Sequence, residues 1–165
     1  MIRRAAPPDA EAIVALRERA WHRAYGDFVD VETVLALPEG DPVERWRGRL
    51  ASEVLRTFVF EAAGRVAGFA SAGPSDEAGA PLGSGALRAL YVDPPAQGAG
   101  VGRALLAAAE GYLRERGFRR AELWVFERNE HARAFYERHG WRLDPGSRRL
   151  DPPADAYELR YERDL

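Results

Sequence analysis

The feature that most constrains this chain is a strand, a glycine loop and a helix start that follow one another in residues 87–103. Residues 90–92 favour a strand, which Asp93-Pro94-Pro95 ends because proline donates no hydrogen bond to a sheet. Apolar residues recur at helical spacing over 104–113. Between the two elements lie three alternating glycines: Gly98, Gly100 and Gly102. This order predicts a phosphate cradle, in which backbone N–H groups face the phosphate, or else a simple tight turn.

Two familiar nucleotide-binding loops do not fit this stretch. A Walker loop requires Gly-Lys-Ser or Gly-Lys-Thr before its helix, whereas Gly102 is followed here by Arg103 and Ala104. A dinucleotide fingerprint places its last two glycines three positions apart, whereas these are two apart. The loop therefore predicts some other phosphate-bearing ligand.

The loop resembles the acyl-CoA pocket of the GCN5-related N-acetyltransferases, whose signature is Arg/Gln-x-x-Gly-x-Gly/Ala after a strand. Here the signature reads Gln97-Gly98-Ala99-Gly100-Val101-Gly102. A second family block, Asn-x-x-Ala-x-x-apolar-Tyr-Glu-x-x-Gly-aromatic, follows at the expected distance and occupies 129–141. Either block alone is a weak signal. The two blocks together, in order and over about the C-terminal half, identify the chain as a member of the family.

The resemblance implies an α/β fold with a single domain over residues 1–165. Its sheet is expected to be mixed and mostly antiparallel, splayed between the fourth and fifth strands and flanked by helices. Sequence patterns predict strands near 2–5, 57–61, 66–70, 87–92, 121–126, 141–143 and 157–161. They predict helices near 10–25, 31–50 with an interruption at 38–42, 104–116 and 130–139.

Local signals refine these boundaries. Asp9, Asp41 and Asn129 are predicted to cap helices, and Gly117 is predicted to end one. Segments 73–85 and 144–155, which are rich in Gly and Pro, are predicted to be loops.

Composition excludes several classes of protein. The chain has no cysteine, which rules out a disulfide framework and a thiol nucleophile. Its net charge of −2 argues against a nucleic-acid partner, and no apolar run is long enough to cross a membrane. We see no metal-binding constellation of side chains. We therefore expect a cytoplasmic enzyme or binding domain without metal.

The resemblance implies acetyl-CoA as acyl donor. Backbone N–H groups of the loop are assigned to the pyrophosphate, and the signature block gives the cofactor-binding residues Gln97, Gly98, Ala99, Gly100, Val101, Gly102 and Arg103. The Arg103 side chain adds charge there or is simply solvated. By resemblance, the strand residues Leu90, Tyr91 and Val92 offer backbone groups to the pantetheine arm. Asn129 is expected to contact the cofactor or only to cap its helix, and Ala132 and Tyr136 belong to the same block.

Tyr136 is the predicted catalytic residue. In the resembled family, the matching tyrosine usually protonates the departing thiolate, which a phenol is able to do when it lies near the sulfur. The alternative is a half-buried helix aromatic beside Phe135.

The sequence says less about the residues that bind the acceptor amine and about the general base. Trp21, Tyr25 and Trp124 are predicted to contact the substrate. In the family, relatives that use a strong base often carry Glu where this chain has Ala86 or Trp124. The base therefore stays open among an ordered water and four side chains, Glu122, Glu127, Asp27 and His22, unless the amine arrives neutral and needs no base. Trp124 also disfavours a protein N-terminal acetylase.

The sequence therefore predicts an acetyl-CoA-dependent N-acetyltransferase that acts by direct transfer, with a small-molecule amine as acceptor. The alternatives are a non-catalytic acyl-CoA sensor, a protein N-terminal acetylase, or an O-acyl or longer-chain acyl transferase on the same fold. A homodimer is possible, since several relatives in the family are dimers.

Overall fold

A mixed sheet forms the centre of the molecule in the computed structural model, which describes residues 1–37 and 39–165. The strands are β1 Ile2–Arg4, β2 Arg56–Ala62, β3 Arg65–Pro74, β4 Ser84–Val92, β5 Arg120–Phe126, β6 Arg142–Leu143, β7 Arg149–Asp151 and β8 Ala156–Asp164. The helices are α1 Ala10–Tyr25, α2 Val31–Ala36, α3 Pro42–Ala51, α4 Val101–Glu115 and α5 Glu130–Arg138. Short 3₁₀ turns cover Pro7–Asp9 and Pro94–Ala96.

The strand order is β1-β2-β3-β4-β5-β8-β6, and β7 also pairs with β8. Every described pair is antiparallel except β4 with β5, which is parallel. This arrangement confirms the predicted mixed, mostly antiparallel sheet.

The sheet opens between β4 and β5. These strands pair only where Ser84, Gly85 and Ala86 lie opposite Arg120, Ala121 and Glu122. Beyond that point β4 stays paired with β3 through Val92, and β5 stays paired with β8 through Phe126. Each strand therefore follows its outer neighbour, and a wedge opens between them, as predicted.

The two faces of the sheet carry separate cores. On one face, α4 packs Leu105 and Leu113 against β-strand residues such as Leu123. On the other face, α1 and α3 pack with Val59 and Phe69 of β2 and β3. Because neighbouring strand residues point to opposite faces, Glu122, Trp124 and Phe126 lie on the α1 face while Leu123 lies on the α4 face.

A buried polar cluster ties α4 to the segment that follows α5. The Glu110 carboxylate accepts hydrogen bonds from Trp141 Nε1 and Arg163 Nη1, both at 3.0 Å. A buried carboxylate needs such partners, because an uncompensated charge is costly away from water. The cluster therefore fixes the glycine loop relative to the helix that carries Tyr136.

Most predicted boundaries agree with the structure. Asp41 and Asn129 cap α3 and α5 by accepting from the N–H groups of Val43 and Ala132. Gly117, at φ +85°, follows the end of α4 as predicted. The predicted interruption at 38–42 separates α2 from α3, although Pro38 lies outside the described residues.

Three local predictions are wrong. Asp9 does not cap α1, because its carboxylate accepts instead from the Ala6 N–H and from Arg3. Both ends of the segment 73–85 belong to strands, since small residues there sit in the ladder between β3 and β4. The segment 144–155 contains β7, which pairs with β8 despite the surrounding prolines.

The close packing of α4 against the sheet depends on Gly68. A Cβ there would lie 2.9 Å from Leu105 Cδ1 and 3.0 Å from the Tyr91 carbonyl oxygen. We predict that Gly68→Ala lowers the free energy of unfolding by about 1–3 kcal/mol through overpacking. The matched control is Gly111→Ala on α4, where a Cβ meets nothing; it should raise stability by about 0.5–1 kcal/mol. Urea unfolding measures both, and equal stability of the two variants would contradict this packing.

Candidate active site

A cavity of about 990 Å³ lies against the sheet beneath α1, α2 and α3, where β4 and β5 diverge. Most of the side chains predicted to bind substrate or to act in catalysis line it. The predicted residues on its wall are Trp21, Tyr25, Leu90, Tyr91, Trp124, Asn129, Ala132 and Tyr136. The other predicted residues, Val92 and Gln97 to Arg103, form the end of β4 and the glycine loop instead.

The glycine loop presents a run of free backbone donors. None of the N–H groups of residues 98–103 donates to an acceptor among the described residues, and the first bond back is from the Ala104 N–H to the Gly100 carbonyl at 3.0 Å. Gly98 and Gly100 have φ of +80° and +79°, which glycine adopts at low cost. A Cβ on either would meet nothing within 4 Å. The loop thus leaves both the donors and the space that a phosphate group requires.

The edge of β4 that faces the gap also has unpaired backbone groups. The Asp93 N–H donates to the Ala67 carbonyl on the β3 side at 2.9 Å. Since antiparallel pairs alternate, the Tyr91 amide also points to β3, and those of Leu90 and Val92 point into the gap. Accordingly, the Gln97 side chain donates to the Val92 carbonyl at 3.3 Å. Of the three predicted strand residues, Leu90 and Val92 offer backbone groups to the gap, while Tyr91 contributes its side chain to the cavity.

Tyr136 lies at the inner end of this gap on α5. Its side chain is 8% exposed, and it packs edge-on against Phe135 and Trp141. Burial, and secondly the nearby Tyr91 phenol, raise the pKa of Tyr136 above its ordinary value. The phenol therefore keeps its proton at neutral pH, as a proton donor must. Its hydroxyl forms no hydrogen bond with any residue that the structure describes.

Two further tyrosines surround it. Burial is also the largest cause that raises the pKa values of Tyr25 and Tyr91. The Tyr25 phenol faces Tyr91 and the Asn129 side chain. Asn129 uses its Oδ1 atom to cap α5, so its amide nitrogen is the donor that faces the Tyr25 phenol.

Aromatic side chains form the acceptor end of the cavity. Trp21 stands edge-on to Tyr25 at 4.9 Å, and Tyr25 stands edge-on to Phe126 at the same distance. Trp124, on β5, donates from Nε1 to Glu77 at 2.9 Å and lies under the Arg149 guanidinium at 3.6 Å. The three predicted substrate residues thus line one cavity, although Trp124 is held in a polar cluster.

Of the four side chains considered as the general base, Glu122 lies on the cavity wall and the other three lie outside it. Glu122 lines the cavity and is buried, and it accepts a hydrogen bond from the Ser75 hydroxyl. Glu127 pairs with Arg148 and His22 pairs with Glu32, both outside the cavity wall. Asp27 is exposed in the turn after α1.

Sequence reasoning missed several charged residues of the wall. Glu158 of β8 lines the cavity, and burial raises its pKa above the ordinary value for glutamate. Arg17 of α1 and Arg49 of α3 also line it. On α1, Arg17 precedes Trp21 by about one helical turn, so both lie on one face of the helix. This spacing could have indicated Arg17 as a residue of the cavity wall. No local signal places Glu158, because the orientation of the last strand is fixed only by its pairing with β5.

Comparisons with known proteins identify the chain. The family model described as Acetyltransferase (GNAT) family matches residues 14–141. This chain belongs to that family. It is 30% identical over 130 residues to the uncharacterized N-acetyltransferase YuaI of Bacillus subtilis, covering 78% of this chain and 72% of YuaI. The GNAT fold and the resemblance drawn from the two sequence blocks are therefore confirmed.

Another GNAT relative is longer than this chain. The mycothiol acetyltransferase of Saccharomonospora viridis is 36% identical over 141 residues, which are 81% of this chain and 42% of that protein. The chain thus spans less than half the length of this relative.

Solved GNAT structures share the fold. PaiA N-acetyltransferase from Thermoplasma acidophilum, in complex with coenzyme A, superposes with a TM-score of 0.81 at 17% identity, covering 100% of this chain and 98% of that one. The ribosomal-protein-alanine N-acetyltransferase from Brucella melitensis gives 0.77 at 23%, covering 100% and 99%. At these identities the likeness shows the fold alone.

None of the helices in residues 1–37 and 39–165 combines the length and the apolar character needed to cross a membrane. Within the same residues, no three His, Cys, Asp or Glu side chains are grouped to hold a metal ion.

Proposed function

We propose that this GNAT protein transfers an acetyl group directly from acetyl-CoA to the amine of a small molecule. The observation that carries the proposal is the row of unpaired backbone donors at residues 98–103, with open space in front of the two left-handed glycines. A pyrophosphate fits such a cradle at the start of α4, where the helix dipole adds positive charge. The cytoplasmic location and the homodimer stay predictions.

The gap between β4 and β5 suits the pantetheine arm. An extended chain with amide groups adds to a strand edge by backbone hydrogen bonds. The amides of Leu90 and Val92 are the groups available for this, and they lie between the glycine loop and Tyr136. The Asn129 amide nitrogen, which is not used to cap α5, is a further donor for the same arm.

The residues around the gap supply the chemistry of transfer. Acetyl-CoA provides the acetyl group as an activated thioester. The Tyr136 phenol, kept protonated by burial, donates to the sulfur as the thiolate develops. Two carboxylates on the cavity wall, Glu122 and Glu158, are available to accept the amine proton directly or through water. Aromatic walls hold the acceptor beside the gap, which supplies proximity.

A thiol-release assay tests this function. The purified protein with acetyl-CoA is offered a panel of amines: amino acids, polyamines, aminoglycosides, arylalkylamines and peptides with a free N-terminus. We expect release of CoA with at least one small amine and less release with peptides. Binding of acetyl-CoA without release on any amine would favour the sensor alternative, and a preference for peptides would favour the N-terminal acetylase.

The glycine loop gives a sharper prediction. Gly100→Val should abolish acetyl-CoA binding in calorimetry, because the side chain enters the phosphate path. The fold should survive with a strain of about 1–2 kcal/mol, since a Cβ there meets no neighbour.

Gly64→Val is the matched control. Gly64 has φ +72° in the turn between β2 and β3, and a Cβ there also meets nothing. This variant should lose similar stability and keep its affinity for acetyl-CoA. Unchanged affinity in folded Gly100→Val would remove the loop from the binding site.

Tyr136→Phe tests the proton donor. The ring and its packing are kept, so thermal stability and acetyl-CoA affinity should stay nearly unchanged, the affinity within a few-fold. The turnover rate should fall by about 10²-fold or more, because positioned acids contribute roughly 10²–10⁴-fold. Full turnover in the folded variant would exclude the Tyr136 hydroxyl from the mechanism. A matched loss of affinity and turnover would make the residue a pocket wall.

A further inference from the structure

Two arginines on the helical wall of the cavity carry charge that the protein does not compensate. Arg17 of α1 and Arg49 of α3 both line the cavity. Neither forms an ion pair with a carboxylate among residues 1–37 and 39–165. Burial, and then the charges of Arg17 and Arg45, lower the pKa of Arg49. The two arginines therefore place positive charge on the same wall of the cavity, Arg17 half-buried and Arg49 exposed to solvent.

Stacking holds both guanidinium groups in place. The Arg17 guanidinium lies 4.9 Å from the centre of the Trp21 ring, and that of Arg49 lies 5.3 Å from the Trp46 ring. Stacking engages the flat face of a guanidinium and leaves its N–H edge free for hydrogen bonds. A preformed pair of such edges suits a planar carboxylate or a phosphate.

An independent observation points the same way. Trp21 Nε1 is buried and has no hydrogen-bond partner at normal distance among the described residues, although the Tyr91 hydroxyl lies nearby. A buried donor without an acceptor is costly, and native proteins rarely leave one without a functional reason. Trp21 lines the cavity beside Arg17, so the unused donor lies close to the uncompensated charge.

The opposite wall differs in this respect. Its carboxylates have cationic partners: Asp76 pairs with Arg88, Glu122 with Arg160, and both Glu77 and Glu158 with Arg149. Asp151, at the edge of the cavity, accepts from the Ala154 N–H in a turn. Among the described residues that line the cavity, the arginines without a carboxylate partner therefore lie on the wall formed by α1 and α3.

We propose that Arg17, Arg49 and the Trp21 indole N–H form a subsite for an anionic oxygen group, a carboxylate or a phosphate, carried by the acceptor amine. This subsite rests on the proposed acetyl transfer and narrows its substrate to amino acids or amino phosphates. The Tyr91 phenol lies near Arg17, Trp21 and Tyr25, and Tyr136 is close to Tyr91. The subsite and Tyr136 thus line the same cavity.

Matched amine pairs test the subsite. Thiol release is compared for phenylalanine against phenethylamine and for phosphoethanolamine against ethanolamine, so each pair differs only in the anionic group. We expect one anionic amine to exceed its neutral partner by about tenfold or more in kcat/KM, the effect of one charge-assisted hydrogen bond. The pair that shows the difference distinguishes a carboxylate from a phosphate.

Variants of the arginines locate the effect. Arg17→Gln and Arg49→Gln should each reduce the preference for the anionic amine toward unity, mainly through KM, while turnover of the neutral amine changes little. Arg49→Lys, which keeps the charge, should retain part of the preference. Arg23→Gln is the control, since it makes the same charge change on an exposed position of α1 outside the cavity. Equal effects of Arg23→Gln and Arg17→Gln would overturn the subsite.

A binding readout separates the subsite from acetyl transfer. Quenching of tryptophan fluorescence is titrated without CoA, using N-acetyl-phenylalanine, N-acetyl-phenethylamine and phosphoethanolamine. An anion-specific signal that Arg17→Gln removes supports the subsite, even if no amine is acetylated. Thiol release without any preference for anionic amines overturns the subsite and leaves the proposed function standing. Absence of both thiol release and an anion-specific signal overturns both.

Discussion

The divergence of β4 from β5 is the constraint on which the rest of this structure depends. Three residue pairs join the two strands, and after Ala86 each strand follows its outer neighbour. Backbone groups that a continuous sheet would satisfy, at Leu90 and Val92, then face a gap. Both residues are half-buried along this open strand edge, and an extended ligand with amide groups completes the sheet there by backbone hydrogen bonds. The glycine loop stands at the outer end of the same gap.

The helices on the two faces of the sheet have different roles. On one face, the buried Glu110 carboxylate ties α4 to Trp141, in the segment after α5, and to Arg163 of β8. On the other face, α1 and α3 cover the cavity and carry its unpaired arginines. The glycine loop and Tyr136 belong to the two family blocks of the sequence, whereas the residues of α1 and α3 lie outside them.

Much of the fold was predictable because its signals are local. Alternating apolar residues, helix caps at Asp41 and Asn129, and the glycine loop each depend on a few neighbouring residues. Asp9 failed as a cap because Arg3, from another element, engages its carboxylate. Of the missed residues, Arg17 had a local signal in its helical spacing from Trp21. The places of Arg49 and Glu158 on the cavity wall follow from helix packing and from strand pairing between distant segments, which no local pattern encodes.

Backbone amide exchange, measured by NMR with and without acetyl-CoA, tests most directly whether the open strand edge is the ligand-binding element. The account predicts that acetyl-CoA slows exchange at the amides of Leu90, Val92 and residues 98–103. The Tyr91 amide, already paired with β3, should change little. Slowed exchange at Tyr91 but not at Leu90 or Val92, or no protection in this stretch at saturating acetyl-CoA, would contradict the account.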